Sequence, residues 1–303
     1  MDPITLPPSR YVIAVSGGVD SVVLLHLLTQ KKAAATHTVS RRFVVAHFDH
    51  GIRPDSHDDR LFVQQLAASY TLPFVFDEGR LGPAASEAKA REARYNFLEK
   101  VRSASGAAAI ITAHHEDDVL ETAILNLLRG SGRKGLTSLE STGRLYRPLL
   151  GVPKAAIIGY AGAHNLDWRE DATNDDISYR RNYIRHRVVA RFGPGERERL
   201  KTIVVQQRDI NRRLDHAITN LLHMQTEGGK LDRADFIQLP HPLAKEVLAV
   251  WLRAHDVRDF TTKTLERITV AAKTARSGKT IDVVQGVSLA VSKTSLALIG
   301  AER

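Results

Sequence analysis

Along residues 11–150, short and almost purely apolar runs alternate with longer stretches in which apolar residues recur at helical spacing. The runs 11–15, 41–46, 72–76, 109–112 and 145–150 have the length and content of buried strands. The stretches 19–30, 56–70, 86–103 and 154–163 predict helices. Strands alternating with helices predict an α/β fold, a parallel, doubly wound sheet covered on both faces. In such sheets ligands sit beyond the carboxyl ends of the strands. Polar clusters follow the strand runs at 16–21, 47–53 and 113–118, so all three are expected on one rim.

Phe192-Gly193-Pro194-Gly195 is the sharpest break in the pattern. It divides the chain into an expected catalytic domain over 1–195 and a smaller, mainly helical domain over 196–303. In the latter, 196–224, 240–255 and 262–274 predict helices. Residues 280–299 alternate short apolar runs with Gly286 and Ser292-Lys293, as in a small sheet or hairpin.

The first strand run ends in Ser16-Gly17-Gly18-Val19-Asp20-Ser21, with a helical pattern opening behind it. Glycines let the backbone turn tightly and let a ligand approach without a Cβ in the way. The amides of such a turn, with the positive end of the following helix, suit a di- or triphosphate. Ser16 and Ser21 add hydroxyls, and Asp20 is placed to hold a Mg²⁺ bridging phosphates. No lysine follows the glycines, so this is not the GxxxxGK[ST] loop.

Other clusters are weaker alone. His47 and His50 have a spacing that zinc sites use, but no Cys or Glu motif accompanies them, and their position at a strand end favours a loop framing adenine and ribose. Arg91, Arg94 and Tyr95 fall within one helical turn, as a solvated mixed face would, or as one guanidinium aimed at phosphate. Helix capping accounts for some carboxylates in 116–121, but not for Asp118 and Glu121, which share a face and suit a cation, Mg²⁺ or an ammonium. Arg129, Arg133 and Lys134 lie in a glycine-rich basic loop. Arg180, Arg181, Arg185 and Arg187 spread round a helix expected over 179–191.

Composition narrows the classes. The chain has 303 residues, formal net charge +9 and no cysteine, which points to a polyanionic partner and rules out disulfides, Cys-ligated zinc and iron–sulfur clusters. The first residues lack the charged and apolar regions of a secretory signal, and no apolar run is long enough to span a bilayer. A cytoplasmic location with no membrane partner is expected.

Taken together, SGGVDS, HFDHGIR, AREARY, TAHHEDDVLETAILNLLRGSG, RPLL and the DATNDD…RRNYIR run resemble the tRNA(Ile)-lysidine synthetase family of the PP-loop ATP pyrophosphatase superfamily, in its short form. The matching motifs cover about residues 11–187, and the remainder is similar only loosely to that family's helical domain, which handles tRNA. The resemblance implies an ATP-dependent carbon–nitrogen ligase. ATP adenylates C2 of the wobble cytidine of CAU-anticodon tRNA(Ile), and free L-lysine then displaces AMP. It implies that Ser16, Gly17, Gly18, Val19, Asp20 and Ser21 hold ATP, with Mg²⁺ near Asp20, and that His47, Asp49, His50 and Arg53 border the nucleotide. Arg91 or Arg94 would neutralise the α-phosphate. Asp118 and Glu121 would take the ammonium end of lysine, and His114 or Asp117 would accept its proton. Arg129, Arg133, Lys134, Arg180, Arg181, Arg185 and Arg187 would meet tRNA phosphates. A homodimer is compatible with such a family. The chain departs from the family's usual HVNHGLR at Phe48, Asp49 and Ile52, which brings any hydrogen bond donated from position 49 into question. Competing readings are a tRNA thiolase, which the absence of cysteine disfavours, an amidating ligase on a free metabolite, which the basic composition disfavours, and a non-catalytic RNA-binding protein.

Overall fold

The computed structural model describes residues 4–30, 42–51, 56–79, 82, 86–170, 176–177, 179–227, 229–257 and 260–300. The chain divides into two compact units, Met1–Val205 and Gln206–Arg303. The division falls inside a long helix, Pro194–Gln225; the Gly193-Pro194-Gly195 break is where that helix starts. Proline suits a helix start because the N–H it lacks would be unbonded there.

The first unit is built on five strands: β1 (Tyr11–Ala14), β2 (Phe43–Asp49), β3 (Phe74–Glu78), β4 (Ala109–Ile111) and β5 (Leu145–Tyr146). They pair in the order β3-β2-β1-β4-β5, all parallel, with Tyr11 opposite both Phe43 and Ala109. The helices that follow the strands in turn are α1 (Val19–Thr29), α2 (Ser56–Ser69), α3 (Glu87–Ala104), α4 (Glu116–Leu128) and α5 (Lys154–Ala163). The period-two alternation of the strands sorts the side chains. Ile13, Val15, Phe43, Val45 and Ile111 join a core with α1, α2 and α5, whereas Val12, Val44, Ala46 and Ile110 pack on Phe97, Leu98 and Val101 of α3. Both sheet faces are therefore covered, as the parallel arrangement requires. Strand β2 runs past the expected 41–46 to Asp49, because its ladder with β3 continues to Asp49 opposite Glu78.

The expected helix at 179–191 is broken into α6 (Arg180–Tyr183), a π-helical turn (Ile184–Val188) and a 3-10 turn (Val189–Arg191). Helix α7 (Pro194–Gln225) follows.

The second unit carries β6 (Thr226–Glu227), β7 (Lys230–Asp232), α8 (Arg233–Gln238), α9 (His241–Ala254), α10 (Thr262–Thr274), β8 (Lys279–Val284), β9 (Val287–Val291) and β10 (Ser295–Ile299). The hairpin expected at 280–299 is part of an antiparallel five-stranded sheet, β6-β7-β10-β9-β8. Trp251, Phe236, Leu248, Ile268, Leu289 and Leu296 form its core. Buried Arg233 donates to the carbonyls of Ala272, Ala275 and Ser292, joining the end of α10 to the sheet. Among the described residues, no helix is long and apolar enough to cross a membrane.

Candidate active site

The glycine loop holds its own shape. Buried Ser21 donates its hydroxyl to the Gly18 carbonyl at 2.9 Å, and its Oγ accepts the amides of Ser16 at 3.2 Å and Gly17 at 3.3 Å. Ser16 Oγ accepts the Gly18 amide at 3.4 Å. Ser21 therefore shapes the loop from within, where the sequence suggested a donor to ligand. These amide bonds are long, and a phosphate oxygen is a stronger, charged acceptor for the same donors. Gly18 is the N-cap of α1 and no side chain caps the helix, so its first amides and its positive end face whatever enters the loop. Gly17 has φ +100°, where an L side chain is strained, and a Cβ there would meet Phe62 and Val63 at 3.5 Å. The carbonyl of Gly17 accepts the Arg169 amide at 3.0 Å, while the Arg169 side chain pairs with Asp59 at 3.1 Å.

A cavity of about 390 Å³ opens beyond the strand ends, and all three expected rim segments line it. From the loop come Ser16, Asp20 and Ser21; from the end of β2, His47, Phe48, Asp49 and His50; from beyond β4, Thr112, Ala113 and His114. Arg94 of α3 and Asp118 of α4 close it. Gly17, Gly18, Val19, Arg91, Asp117 and Glu121 are not in its lining. Arg53 lies outside the described residues, as do 171–175 of the DATNDD run.

His47 is buried, and its Nδ1 donates to the Val15 carbonyl at 2.9 Å, which leaves Nε2 as the ring acceptor. Burial pushes its pKa below the ordinary imidazole value. Asp49 is buried and accepts the Gly51 amide at 2.8 Å, so the residue that departs from the family pattern caps its own turn. His114 Nδ1 lies 2.9 Å from Thr112 Oγ1. Burial pushes His114 down to about 3, with Arg147, Arg94 and Arg91 adding to the effect and Asp118 opposing it. It is a neutral imidazole and a weak base at neutral pH. Arg91 and Arg94 both stack on the Tyr95 ring, at 4.7 and 5.3 Å from its centroid, and only Arg94 reaches the cavity.

Asp118 and Glu121 are not open. Glu121 is fully buried and binds Arg185 at 2.7 Å and Arg181 at 3.1 Å. Asp118 Oδ1 binds Arg181 at 3.2 Å, and its Oδ2 accepts the His115 amide at 3.0 Å. Burial draws the Asp118 carboxyl upward, but His115 and Arg181 beside it hold it below the ordinary carboxylate value. Two of the arginines expected on RNA phosphates thus turn inward onto the two carboxylates expected to bind lysine. Arg181 and Arg185 are one turn apart, so they share a face, and that face meets deep negative charge. Arg129, Arg180 and Arg187 are exposed, and Arg133 and Lys134 are half-buried. Asp117 points away from the cavity and pairs with Arg197 at 2.9 Å.

The sequence assigns no role to two residues here, although His115 lies within the TAHHEDD motif. Lys154, the first residue of α5, places its Nζ 2.6 Å from Asp20 Oδ1. His115 is buried with its Nε2 between Asp20 Oδ2 at 3.7 Å and Asp118 Oδ2 at 3.6 Å. Lys154 is signalled only by lying four residues beyond the RPLL run.

Asp20 and Asp118 both line the cavity, each paired with a cation, Lys154 and Arg181 respectively.

A parallel sheet ordered 3-2-1-4-5, with a lysine-free glycine loop behind the first strand, defines a doubly wound α/β protein whose site lies beyond the strand ends. A family model described as a PP-loop domain matches residues 3–192, and the chain belongs to that family. It is 41% identical over 194 residues to a tRNA(Ile)-lysidine synthase of Nitrosomonas europaea, covering 60% of this chain and 41% of that protein. It is 35% identical over 274 residues to a protein of the same name from Lactiplantibacillus plantarum, covering 86% of this chain and 60% of that one. The chain thus spans about half the length of these curated relatives. Among solved structures, the U34-tRNA thiolase NcsA of Methanococcus maripaludis, with its [4Fe-4S] cluster, shares the fold at TM-score 0.50 and 14% identity, over 68% of this chain and 73% of that one.

Proposed function

We propose that this chain catalyses the lysidine-forming reaction, adenylating C2 of the wobble cytidine in CAU-anticodon tRNA(Ile) and replacing AMP with free L-lysine. The observation that carries the reading is the single cavity in which the loop residues Ser16 and Asp20, the β2 residues His47 and His50, and Arg94, His114 and Asp118 face one another. The names of its relatives support the choice of reaction.

In the first step the cytidine O2 attacks the α-phosphorus, and the bond to the β-phosphate oxygen breaks. Loop amides and the start of α1 take the charge of the departing pyrophosphate, while Arg94 neutralises the α-phosphate. Mg²⁺ held by Asp20 would screen phosphate charge. In the second step a lysine amine, having given up its ammonium proton to solvent, attacks C2, AMP leaves with the oxygen, and the proton shed by the new C–N bond also passes to solvent. Asp118 and Glu121 attract the ammonium end of lysine, which requires Arg181 and Arg185 to share those carboxylates with it. As a weak base, His114 is assigned to hydrogen bonding in the pocket and not to taking the lysine proton. Arg129, Arg133, Lys134, Arg180 and Arg187 are assigned to tRNA phosphates, and the target base must leave its stack to enter.

A chain without cysteine has no ligand set for a cluster and no sulfur carrier of its own, which disfavours thiolation. The test is incubation with ATP, labelled lysine, and either isoleucine or methionine tRNA bearing CAU. Lysine should enter the first tRNA only. Ammonia- or sulfur-dependent products, or tRNA binding without AMP release, would replace this reading.

A further inference from the structure

Three helix starts meet at one carboxylate. Asp20 sits in the first turn of α1; its Oδ1 accepts from Nζ of Lys154, the first residue of α5, at 2.6 Å. Its Oδ2 lies 3.7 Å from Nε2 of His115, the N-cap of α4. Each helix start carries partial positive charge, so the surroundings of Asp20 are built for more negative charge than one carboxylate brings. A lysine at a first helical position opposes the dipole of its own helix, and α5 has no acidic residue in that turn to offset it. Helix stability therefore does not explain Lys154.

The glycine loop, which lacks a lysine, adjoins this ammonium through Asp20. Both members of the pair are partly open, with side-chain exposures of 33% for Lys154 and 28% for Asp20. An ion pair this exposed is worth little and exchanges readily for a better anion. The geometry points to Lys154 as the phosphate-binding cation of this site, passing from Asp20 to the oxygens of the pyrophosphate group and leaving Asp20 to a divalent cation. This rests on the reading that residues 16–21 grip pyrophosphate. It gives the site what the loop's own sequence omits, from a segment 134 residues further along the chain.

Calorimetric titration with inorganic pyrophosphate and, separately, with AMP tests the assignment on the full chain without tRNA or lysine. Lys154→Met should weaken pyrophosphate binding by about tenfold or more, the worth of one charge-assisted hydrogen bond, and leave AMP binding unchanged. Lys154→Arg should keep most of the pyrophosphate affinity. In the unmodified protein, pyrophosphate should slow acetylation of Lys154 and AMP should not, which serves even where the Met variant does not fold. Unchanged pyrophosphate affinity in Lys154→Met, parallel loss of both ligands, or acetylation indifferent to pyrophosphate would overturn the assignment. If the unmodified protein binds neither ligand, the nucleotide reading of the loop falls first and takes this one with it.

Discussion

The loop at 16–21 is shaped chiefly by bonds within it, from Ser21 Oγ and Ser16 Oγ to its own amides and carbonyl, joined by one from outside, the Arg169 amide to the Gly17 carbonyl. Asp118, which lines the same cavity, and the fully buried Glu121 one turn behind it are held by guanidiniums 60 or more residues further along the chain. The first region is local, partly solvated and spends little of the protein's stability. The second is long-range and buried, with two carboxylates and two guanidiniums that must be present together. A site can thus keep its ligand grip in a short motif while the stability of its other wall depends on distant segments meeting.

Mutations should separate the two regions. Asp20→Ala should abolish AMP formation, a loss of about a hundredfold or more. It should change unfolding free energy by only about 1 kcal/mol or less, since its ion pair is partly exposed. A pyrophosphate-release assay and urea unfolding on one preparation give both numbers, and a large stability loss would erase the contrast. Glu121→Ala should do the opposite, costing about 3 kcal/mol in urea unfolding by removing the buried carboxylate that Arg181 and Arg185 share and leaving Asp118 alone to pair both. Replacing Glu121, Arg181 and Arg185 together by leucine should recover much of that loss while lysine use stays impaired. A loss below about 1 kcal/mol in the single variant would mean the network does not hold this wall.

Gly17→Ala tests how local the loop is. Its φ of +100° should cost about 1–3 kcal/mol and distort the amides, weakening ATP binding in titration without altering the Asp118 end. A further test is in pH. The folded pKa of His114 is depressed by burial to about 3, below its unfolded value. The neutral imidazole's contribution is therefore full above the unfolded pKa of about 6.5 and is lost as pH falls toward the folded one. Unfolding free energy should decline over that window, and His114→Asn should flatten the slope. In NMR the His114 ring should show no titration between about pH 5 and 8.

Legibility in the sequence follows the same division. Strand runs and helical spacing locate the parallel sheet, and α5 coincides with its expected span, because period and burial are local properties of the chain. The glycine loop is legible because its donors and its strained glycine are neighbours. Strand β2 is read short because His47, Phe48 and Asp49 look like a polar exit, whereas the neighbouring ladder carries them to Glu78. The arginines at 180–187 read as a group spread round one helix and directed at tRNA phosphates. The fold instead turns Arg181 and Arg185 inward, and the helix there gives way to a π-helical turn at Ile184–Val188. Strands β6 and β7 are too short to register as a period, so the second sheet is larger than a terminal hairpin.

By itself the sequence determined the sheet, the glycine loop and the family, since each is written in neighbouring residues whose spacing maps directly onto backbone geometry. Tertiary structure alone decided which charges meet. Lys154 on Asp20, and Arg181 and Arg185 on Glu121, are choices among many oppositely charged partners, and such choices are settled by where packing brings the side chains, which no local pattern records.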